Sequence, residues 1–233
     1  MKLAIMQPYF FPYIGYFQLL KTVDEFVIYD NIQFTKKGWI HRNRILVNEA
    51  SSFVTLPLKN DSDYLDINDR RLADSFFQEK KKLLRRIEGA YRNAPYFHDV
   101  YPLVKGCLDY DDSNLFNFIF FSVKKIMNFL SINTRVVISS SIKIDNSLKA
   151  EKKVIEICKQ MNAGTYINPI GGLELYDKGE FAAHNIELKF LKTKPIVYKQ
   201  FNNNFIPWLS IIDVMMFNSV QYISELLNNH ELI

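Results

Sequence analysis

The sequence predicts an α/β protein with a mainly parallel sheet that is flanked by helices. Short apolar runs, such as residues 2–6, 25–30 and 186–191, alternate with longer segments of helical periodicity. Strands that are separated by helices usually pair in parallel, with helices on both faces of the sheet. The apolar fraction of 48% in 233 residues is enough for a substantial core. Because no repeat or low-complexity linker divides the chain, we expect one domain over residues 1–233.

The predicted elements form a Rossmann-like succession that a helical insert interrupts. The insert or cap covers residues 73–131. It begins with a basic segment of amphipathic helical pattern, and Pro95 ends that helix. The hairpin before it is an antiparallel addition. In order, the elements are a strand at 2–6, a helix at 14–22, a strand at 25–30, hairpin strands at 43–47 and 52–57, helices at 73–92, 97–108 and 114–131, a strand at 135–140, a helix at 147–161, a strand at 165–168, a helix at 181–184, a strand at 186–191, and helices at 209–217 and 220–228.

Charge and cysteine content narrow the class of protein. The net charge of +4 suits a protein that meets phosphates, but by itself it does not indicate a nucleic-acid binder. Cys107 and Cys158 lie far apart, which argues against a zinc site or a disulfide framework and fits a reducing compartment. The chain begins with a strand instead of a signal peptide, and its most apolar stretch, residues 115–123, is too short to span a bilayer. We expect a cytoplasmic protein with no membrane insertion.

A stiff aromatic loop, residues 7–17, joins the first strand to the first helix. Pro8 and Pro12 fix two φ angles and remove two backbone donors. Gly15 allows either a close approach or a positive φ where the helix begins. A loop of this kind is part of a ligand site or an aromatic plug over the sheet edge, and the loop alone favours neither.

The second strand ends in Asp30, and the loop that follows it is rich in cations. Arginine and lysine complement phosphate, and tryptophan offers a stacking face. We expect His41 to move a proton near neutral pH. The alternative is a solvated basic loop that leads into the hairpin. The polar and aromatic residues of this segment are Gln33, Lys36, Lys37, Trp39, His41, Arg42, Asn43 and Arg44.

The segment 166–176 repeats the pattern of a strand, a glycine turn and a helix. Asn168 is followed by Gly171 and Gly172, whose backbone N–H groups are suited to an anion. The segment matches neither a Walker A loop nor a dinucleotide fingerprint. A tight strand-to-helix turn is the alternative. We favour a site, because this loop and the first loop should share one sheet edge.

Asp213 lies in an apolar helix for which Ser210 is a candidate N-cap. Because a lone buried acid is costly, we expect Asp213 to pair with a basic or backbone group, such as one from residues 36–44. A structural ion pair and a catalytic acid both fit. The other histidines, His98, His184 and His230, form no metal-binding pattern. The basic run 80–86 indicates a solvated helix face more than an RNA contact.

Four segments together resemble the WbqC-like protein family. They span nearly the whole chain: residues 7–17, residues 30–44, residues 166–176, and residues 209–213 with Phe217 and Asn218. The resemblance implies a setting of bacterial O-antigen and polysaccharide gene clusters. It further implies a role in adding an amino-acid or acyl group to the amine of a nucleotide-linked amino sugar.

The first loop is also loosely similar to the corresponding loop of nucleotidylyltransferases. This similarity implies that the predicted Rossmann-like fold could be of the nucleotidylyltransferase type. Those enzymes carry His-x-Gly-His where this chain has Tyr13, Ile14, Gly15 and Tyr16. Both histidines are missing, and so is a Lys-Met-Ser-Lys-Ser type loop. ATP use therefore stays open, and it would have to rely on Lys36, His41 and Arg44.

These observations predict an acyl or aminoacyl transferase acting on a nucleotide sugar. Amide formation needs a base, an oxyanion ligand and groups that orient the substrate. The base is His41 or Asp30. The phosphate or oxyanion ligands are Lys36, Arg42 and Arg44. The orienting residues are Gln7, Asn43 and Asn168. The stacking rings are Tyr9, Tyr16 and Trp39. Backbone donors come from Gly171 and Gly172. Further candidate substrate-binding residues are Pro12, Gly15, Gln33, Tyr176 and Asp213. We expect no metal.

Two other functions stay open. One is a non-catalytic partner or scaffold of a polysaccharide assembly complex, and the other is a transferase that draws on an aminoacyl-tRNA. For the leading function the expected partners are a nucleotide-linked amino sugar and a small acyl or amino-acid donor. A tRNA donor is less favoured, and a homo-oligomer stays open.

Overall fold

A six-stranded sheet lies at the centre of the computed structural model, which describes residues 1–145, 147–202 and 204–233. The strands are β1 (Lys2–Met6), β2 (Glu25–Ile28), β3 (Arg42–Val47), β4 (Ala50–Thr55), β5 (Arg135–Ile138), β6 (Thr165–Pro169), β7 (Glu187–Thr193) and β8 (His230–Leu232). The helices are α1 (Ile14–Thr22), α2 (Phe76–Tyr91), α3 (Phe97–Leu108), α4 (Leu115–Phe129), α5 (Ala150–Gln160), α6 (Lys178–Ala182), α7 (Ile211–Phe217) and α8 (Val220–Leu226).

The strand order places a topological switch point beside β1. The order is β5-β2-β1-β6-β7-β8, and every neighbouring pair is parallel except β7 with β8. The chain runs outward from β1 to β5 and then crosses back to place β6 on the other side of β1. Open α/β sheets bind ligands at the carboxyl edge of such a point. The predicted α/β fold with a mainly parallel sheet and flanking helices is confirmed.

The sheet separates two apolar cores. Ala4 of β1 faces the larger core, which includes residues of α1, the hairpin, α2 to α4, α7 and α8. Leu3 and Ile5 face the smaller core, which α5 and α6 cover. This alternation follows from the two-residue period of a strand and explains why β1 is apolar from Leu3 to Met6. Among the described residues, no helix is long and apolar enough to cross a bilayer.

Two features differ from the sequence-based expectation. The hairpin is antiparallel as predicted, but β3 and β4 form a separate two-stranded sheet and do not extend the main one. The strand β8 was not predicted, because a three-residue edge strand carries too little apolar periodicity to be recognised. His230 lies in this strand, and its Nε2 is 3.1 Å from the Thr22 hydroxyl oxygen.

Asp213 is a buried acid whose hydrogen-bond partners in the described residues are neutral side chains, and one of them, Tyr91, connects it to the hairpin. Its carboxylate accepts hydrogen bonds from the Tyr91 hydroxyl at 2.8 Å, the Tyr198 hydroxyl at 2.6 Å and the Gln200 amide at 2.7 Å. Burial raises the pKa of this carboxyl, and the three donors oppose that shift. The expected partner from residues 36–44 was wrong, because neutral donors from distant segments stabilise the buried acid.

We expect Tyr91→Phe to lower the free energy of unfolding by about 1–3 kcal/mol. The Tyr91 hydroxyl also accepts the N–H of Leu46 at 2.9 Å, so its removal leaves that N–H and one oxygen of the Asp213 carboxylate without this hydrogen bond. Urea titration followed by circular dichroism measures the change. Tyr222→Phe is the matched control, because that ring is 41% exposed. Equal midpoints for the two variants would contradict the assigned role of the Tyr91 hydroxyl.

Candidate functional site

The loops that follow β1, β2, β5 and β6 meet at the carboxyl edge of the sheet and form what we term the edge crevice. Gln7 follows β1 directly, and Asp30 lies two residues beyond β2. Ser139 follows β5, and Asn168 lies near the end of β6. Because these strands are parallel neighbours, four segments that are far apart in the chain present polar groups to one edge.

Asp30 organises this edge. Its side chain is buried, and one carboxylate oxygen accepts hydrogen bonds from the Ser139 hydroxyl at 2.7 Å and the Ser140 N–H at 2.9 Å. The other oxygen accepts from the Asn68 amide at 3.1 Å. These bonds join the loops after β2 and β5 to the segment around residues 67–69. Asp30 therefore holds the walls of the edge crevice together.

A lysine, a carboxylate and a tyrosine lie close to one another near Asp30. The Lys153 ammonium lies 5.0 Å from the centre of the Tyr29 ring and donates to the Asn31 carbonyl at 3.2 Å. Burial raises the pKa of Asp66, Lys153 lowers it, and the negative charges of Asp69 and Asp30 raise it further. A partly exposed carboxylate with a raised pKa is suited to accept a proton from a substrate.

The loop after β6 is packed closely around Asn168. The Tyr166 hydroxyl donates to the Asn168 side-chain carbonyl at 3.1 Å. A Cβ atom on Gly172 would come within 1.8 Å of the Asn168 amide nitrogen, so this position requires glycine. Gly171 faces open space, and no glycine of the described chain has a positive φ. Gly172 thus serves a close approach, and Tyr176 packs beside it at 3.5 Å from the same Cβ position.

The first loop is held in a strained shape. Phe11 is buried and has a φ of 42°, a conformation that bulky residues rarely adopt. Its carbonyl accepts hydrogen bonds from the Asn43 amide at 2.9 Å and the Ser210 hydroxyl at 2.7 Å. The Pro12 carbonyl accepts the N–H of Ile211 at 2.8 Å. The hairpin and the start of α7 therefore clamp this loop from two sides.

Tyrosine rings fill the space under the first loop. A Cβ atom on Gly15 would lie 2.3 Å from the Tyr13 ring, so Gly15 permits a close approach and does not supply a positive φ. Tyr16 is buried against Phe26, and its hydroxyl has no partner among the described residues. Burial and the neighbouring Tyr13 raise the pKa of Tyr9 to about 12, so its phenol is neutral at pH 7.

His41 lies between the hairpin and the segment that contains Arg70. The centres of the His41 and Phe34 rings are 5.2 Å apart. The Arg70 guanidinium lies 4.6 Å from the centre of the same Phe34 ring. Burial, together with the positive charges of Arg42 and Arg70, lowers the pKa of His41 to about 4. The expected titration near neutral pH was therefore wrong, and the imidazole is neutral at pH 7.

Arg42 and Arg44 lie on the outer surface of the hairpin, and Lys36 lies in the loop before it. Arg42 lies 4.9 Å from the centre of the Phe53 ring, and Arg44 lies 5.3 Å from that of Trp39. Lys36 forms an exposed ion pair with Asp63 at 2.6 Å. None of these side chains shares a hydrogen bond or ring contact with the residues around Lys153 in the described part of the chain. The structure thus divides the predicted site into two regions.

Comparison with known proteins identifies the family. The model of the WbqC-like protein family matches residues 7–225. The chain belongs to this family. The uncharacterized protein Rv1507c of Mycobacterium tuberculosis (strain ATCC 25618 / H37Rv) is 29% identical over 216 residues, which cover 92% of each chain. No solved structure matches. The predicted family resemblance is confirmed, and the family name specifies no reaction.

The predicted site residues of this WbqC-like protein fall into three groups. At the edge crevice lie Gln7, Tyr9, Asp30, Asn168, Gly171, Gly172 and Tyr176. On the hairpin surface and the loop before it lie Gln33, Lys36, Trp39, Arg42 and Arg44. Buried or supporting positions are held by Pro12, Gly15, Tyr16, His41, Asn43 and Asp213. Tyr16 is 2% exposed and Asp213 is 0% exposed, so these two side chains support the fold and do not face an open site.

Sequence reasoning missed several polar residues of the edge crevice. Tyr29 could have been found, because it stands beside Asp30 at a strand end. Asp66 and Asn68 lie in a polar, irregular segment, and Lys153 lies on an amphipathic helix, where no sequence signal separates them from surface residues. Only the fold brings these segments to the sheet edge.

We expect acid to destabilise the protein partly through His41. Its folded pKa lies below the usual 6.5, so the stability contributed by the neutral ring is complete above pH 6.5 and is lost as the pH falls through about 4. Because the ring is partly exposed, solvent screening should limit this contribution to about 1 kcal/mol. His41→Gln should reduce the loss of thermal stability between pH 7 and pH 4.5. His98→Gln, on the exposed side of α3, is the control, and an identical acid loss in both variants would refute the assignment.

Proposed function

We propose that this WbqC-like protein transfers an acyl or aminoacyl group to the amine of a nucleotide-linked amino sugar in bacterial O-antigen or polysaccharide biosynthesis. One observation carries the proposal. Lys153, Asp66, Tyr29 and Tyr176 gather at the carboxyl edge of a parallel sheet, beside a strained and clamped loop at its switch point. Nucleotide ligands commonly occupy this place in α/β proteins. The family context supplies the sugar and the acyl group.

The residues of the edge crevice suit the two ends of such a substrate. Lys153 provides a positive charge for a phosphate or for the oxyanion of a tetrahedral intermediate. Asn168 is held by the Tyr166 hydroxyl, so its amide can orient a sugar hydroxyl with little loss of side-chain entropy. The rings of Tyr29 and Tyr176 give apolar walls with polar tips.

Asp66 is our candidate base, in place of His41 or Asp30. The amine nitrogen attacks the acyl carbon of an activated donor, a C–N bond forms, and the bond to the leaving group breaks. The amine proton passes to the Asp66 carboxylate. Burial raises the pKa of Asp66 and so makes this carboxylate a better proton acceptor, whereas burial lowers the pKa of His41 and makes its imidazole a poorer one. Asp30 stays bound to Ser139, Ser140 and Asn68 and keeps the crevice in shape.

A thermal-shift screen with UDP- and dTDP-linked amino sugars tests binding. We expect the unfolding temperature of the protein to rise with at least one of them. Lys153→Ala should weaken this binding about 10- to 100-fold, because a charge-assisted contact contributes about 1.5–3 kcal/mol. Lys152→Ala removes the neighbouring exposed lysine of the same helix and should leave the affinity unchanged. Equal affinities of the two variants for the nucleotide sugar would show that Lys153 does not bind it.

A turnover assay tests the assigned base. With a nucleotide amino sugar and an activated acyl donor, we expect Asp66→Asn to retain binding and to lose about 10²- to 10⁴-fold in rate. Mass spectrometry of the sugar product measures the transfer. Asp61→Asn, in the same polar segment, is the control. A normal rate for Asp66→Asn would show that another group takes the proton.

A further inference from the structure

The outer surface of the hairpin carries a row of arginines and exposed aromatic rings, which we call the arginine–aromatic face. Trp39 and Phe53 stack with their ring centres 6.1 Å apart. Trp39, Phe53 and Trp208 are 39%, 45% and 61% exposed, which is unusual for side chains of this size. The face consists of Trp39, Arg42, Arg44, Phe53, Arg86 and Trp208.

The arginines of this face are positioned but not neutralised. In the described part of the chain, no carboxylate lies within ion-pair distance of Arg42, Arg44 or Arg86. Backbone carbonyls hold them instead. Arg42 donates to Lys37 at 2.7 Å, Arg44 to Trp208 at 3.2 Å, and Arg86 to Phe53 at 2.8 Å. Fixed guanidinium groups without counter-charges are suited to an anionic ligand.

The shape and length of the face indicate a strand and not a single nucleotide. A groove lined by Phe53, Lys82 and Arg86, and also by Glu79, continues the face from the hairpin onto α2, and the rings of Trp39 and Trp208 are exposed to solvent beyond it. Arg86 extends the row onto α2, where Lys82 and Arg85 are also exposed. Between Asp30 and Glu49 the sequence contains no acidic residue. Several cations interleaved with stacking rings are typical of surfaces that bind single-stranded nucleic acid.

We propose that the arginine–aromatic face binds single-stranded RNA. The choice of RNA over DNA rests on the proposed function, because an ester at a ribose hydroxyl is an activated aminoacyl donor for amide formation. The face is also continuous with the first loop. The Tyr13 ring lies edge-on to the Trp208 ring at 6.2 Å, and Tyr13 directly precedes α1 beside the edge crevice. The first loop is therefore the segment that separates this face from the edge crevice.

The two tryptophans of the chain both belong to this face, so tryptophan emission, excited selectively over that of the 13 tyrosines, reports on it. Titration with a 12-nucleotide single-stranded RNA should quench the emission through base stacking. Neutralisation of phosphates by three arginines predicts an affinity loss of about 20-fold between 50 and 200 mM KCl. No quenching, or quenching that does not depend on salt, would overturn the proposal. Equal affinity for DNA of the same sequence would overturn the assignment to RNA. Tighter binding to anionic lipid vesicles or to polyglutamate than to RNA would show that the face binds a different kind of polyanion.

Paired variants locate the binding. Arg42→Ala/Arg44→Ala should weaken RNA binding at least tenfold and flatten its salt dependence. Lys152→Ala/Lys159→Ala removes two exposed lysines from α5, on the opposite side of the sheet, and should bind RNA normally. Because Arg42 and Arg44 also hold loop carbonyls, Arg86→Ala on α2 is a second variant, and we expect it to weaken binding with an unchanged unfolding midpoint. Normal RNA binding by both face variants would overturn the assigned surface.

The same variants separate this inference from the proposed function. If only the RNA proposal fails, the nucleotide-sugar thermal shift and its loss in Lys153→Ala persist. If only the sugar proposal fails, RNA binding persists in the unaltered protein and in Lys153→Ala, and it is lost in the face variants.

Discussion

The clamp on the Phe11 carbonyl is the interaction on which the rest of the site depends. A buried phenylalanine with a φ of 42° is expected to cost about 1–3 kcal/mol, and only strong local contacts can maintain it. Asn43 supplies one donor from the hairpin, and Ser210 supplies another from the start of α7. Two segments that are remote in sequence are thereby fixed to the loop that follows β1. The strain is thus balanced by the same contacts that join the hairpin to the sheet.

This constraint links the edge crevice to the arginine–aromatic face. Asn43 and Arg44 are successive residues of β3, so their side chains point to opposite sides of the hairpin. Asn43 points inward to the first loop, and Arg44 points outward to Trp39 and Trp208. A displacement of β3 would therefore alter both regions at once. The alternation of side chains along β3 therefore determines both the clamp on the Phe11 carbonyl and the arginine–aromatic face.

The sequence predicted the fold better than it predicted the site. Strand and helix periodicity is local, which explains why the parallel sheet and the order of elements were recovered. The strand β8 and the separate hairpin sheet depend on pairing partners that periodicity does not identify. Asp213 shows the same limit, because its need for partners was evident while Tyr91, Tyr198 and Gln200 were not. Loop composition correctly marked Asp30 and Asn168 at the sheet edge, but Asp66 and Lys153 reach it only through the tertiary fold.

The distribution of charge explains why the two regions suit different parts of one reaction. Around the edge crevice, a lysine and a carboxylate stand close to neutral phenols, which favours the transfer of single protons and the binding of one compact substrate. On the hairpin and α2, backbone carbonyls hold the arginines, and no carboxylate of the described residues forms an ion pair with them, which favours an extended polyanion. A transferase needs both kinds of site when its acceptor is small and its donor is carried on a strand. In the proposed reaction, the first loop, which the hairpin and α7 clamp, would lie between the two substrates.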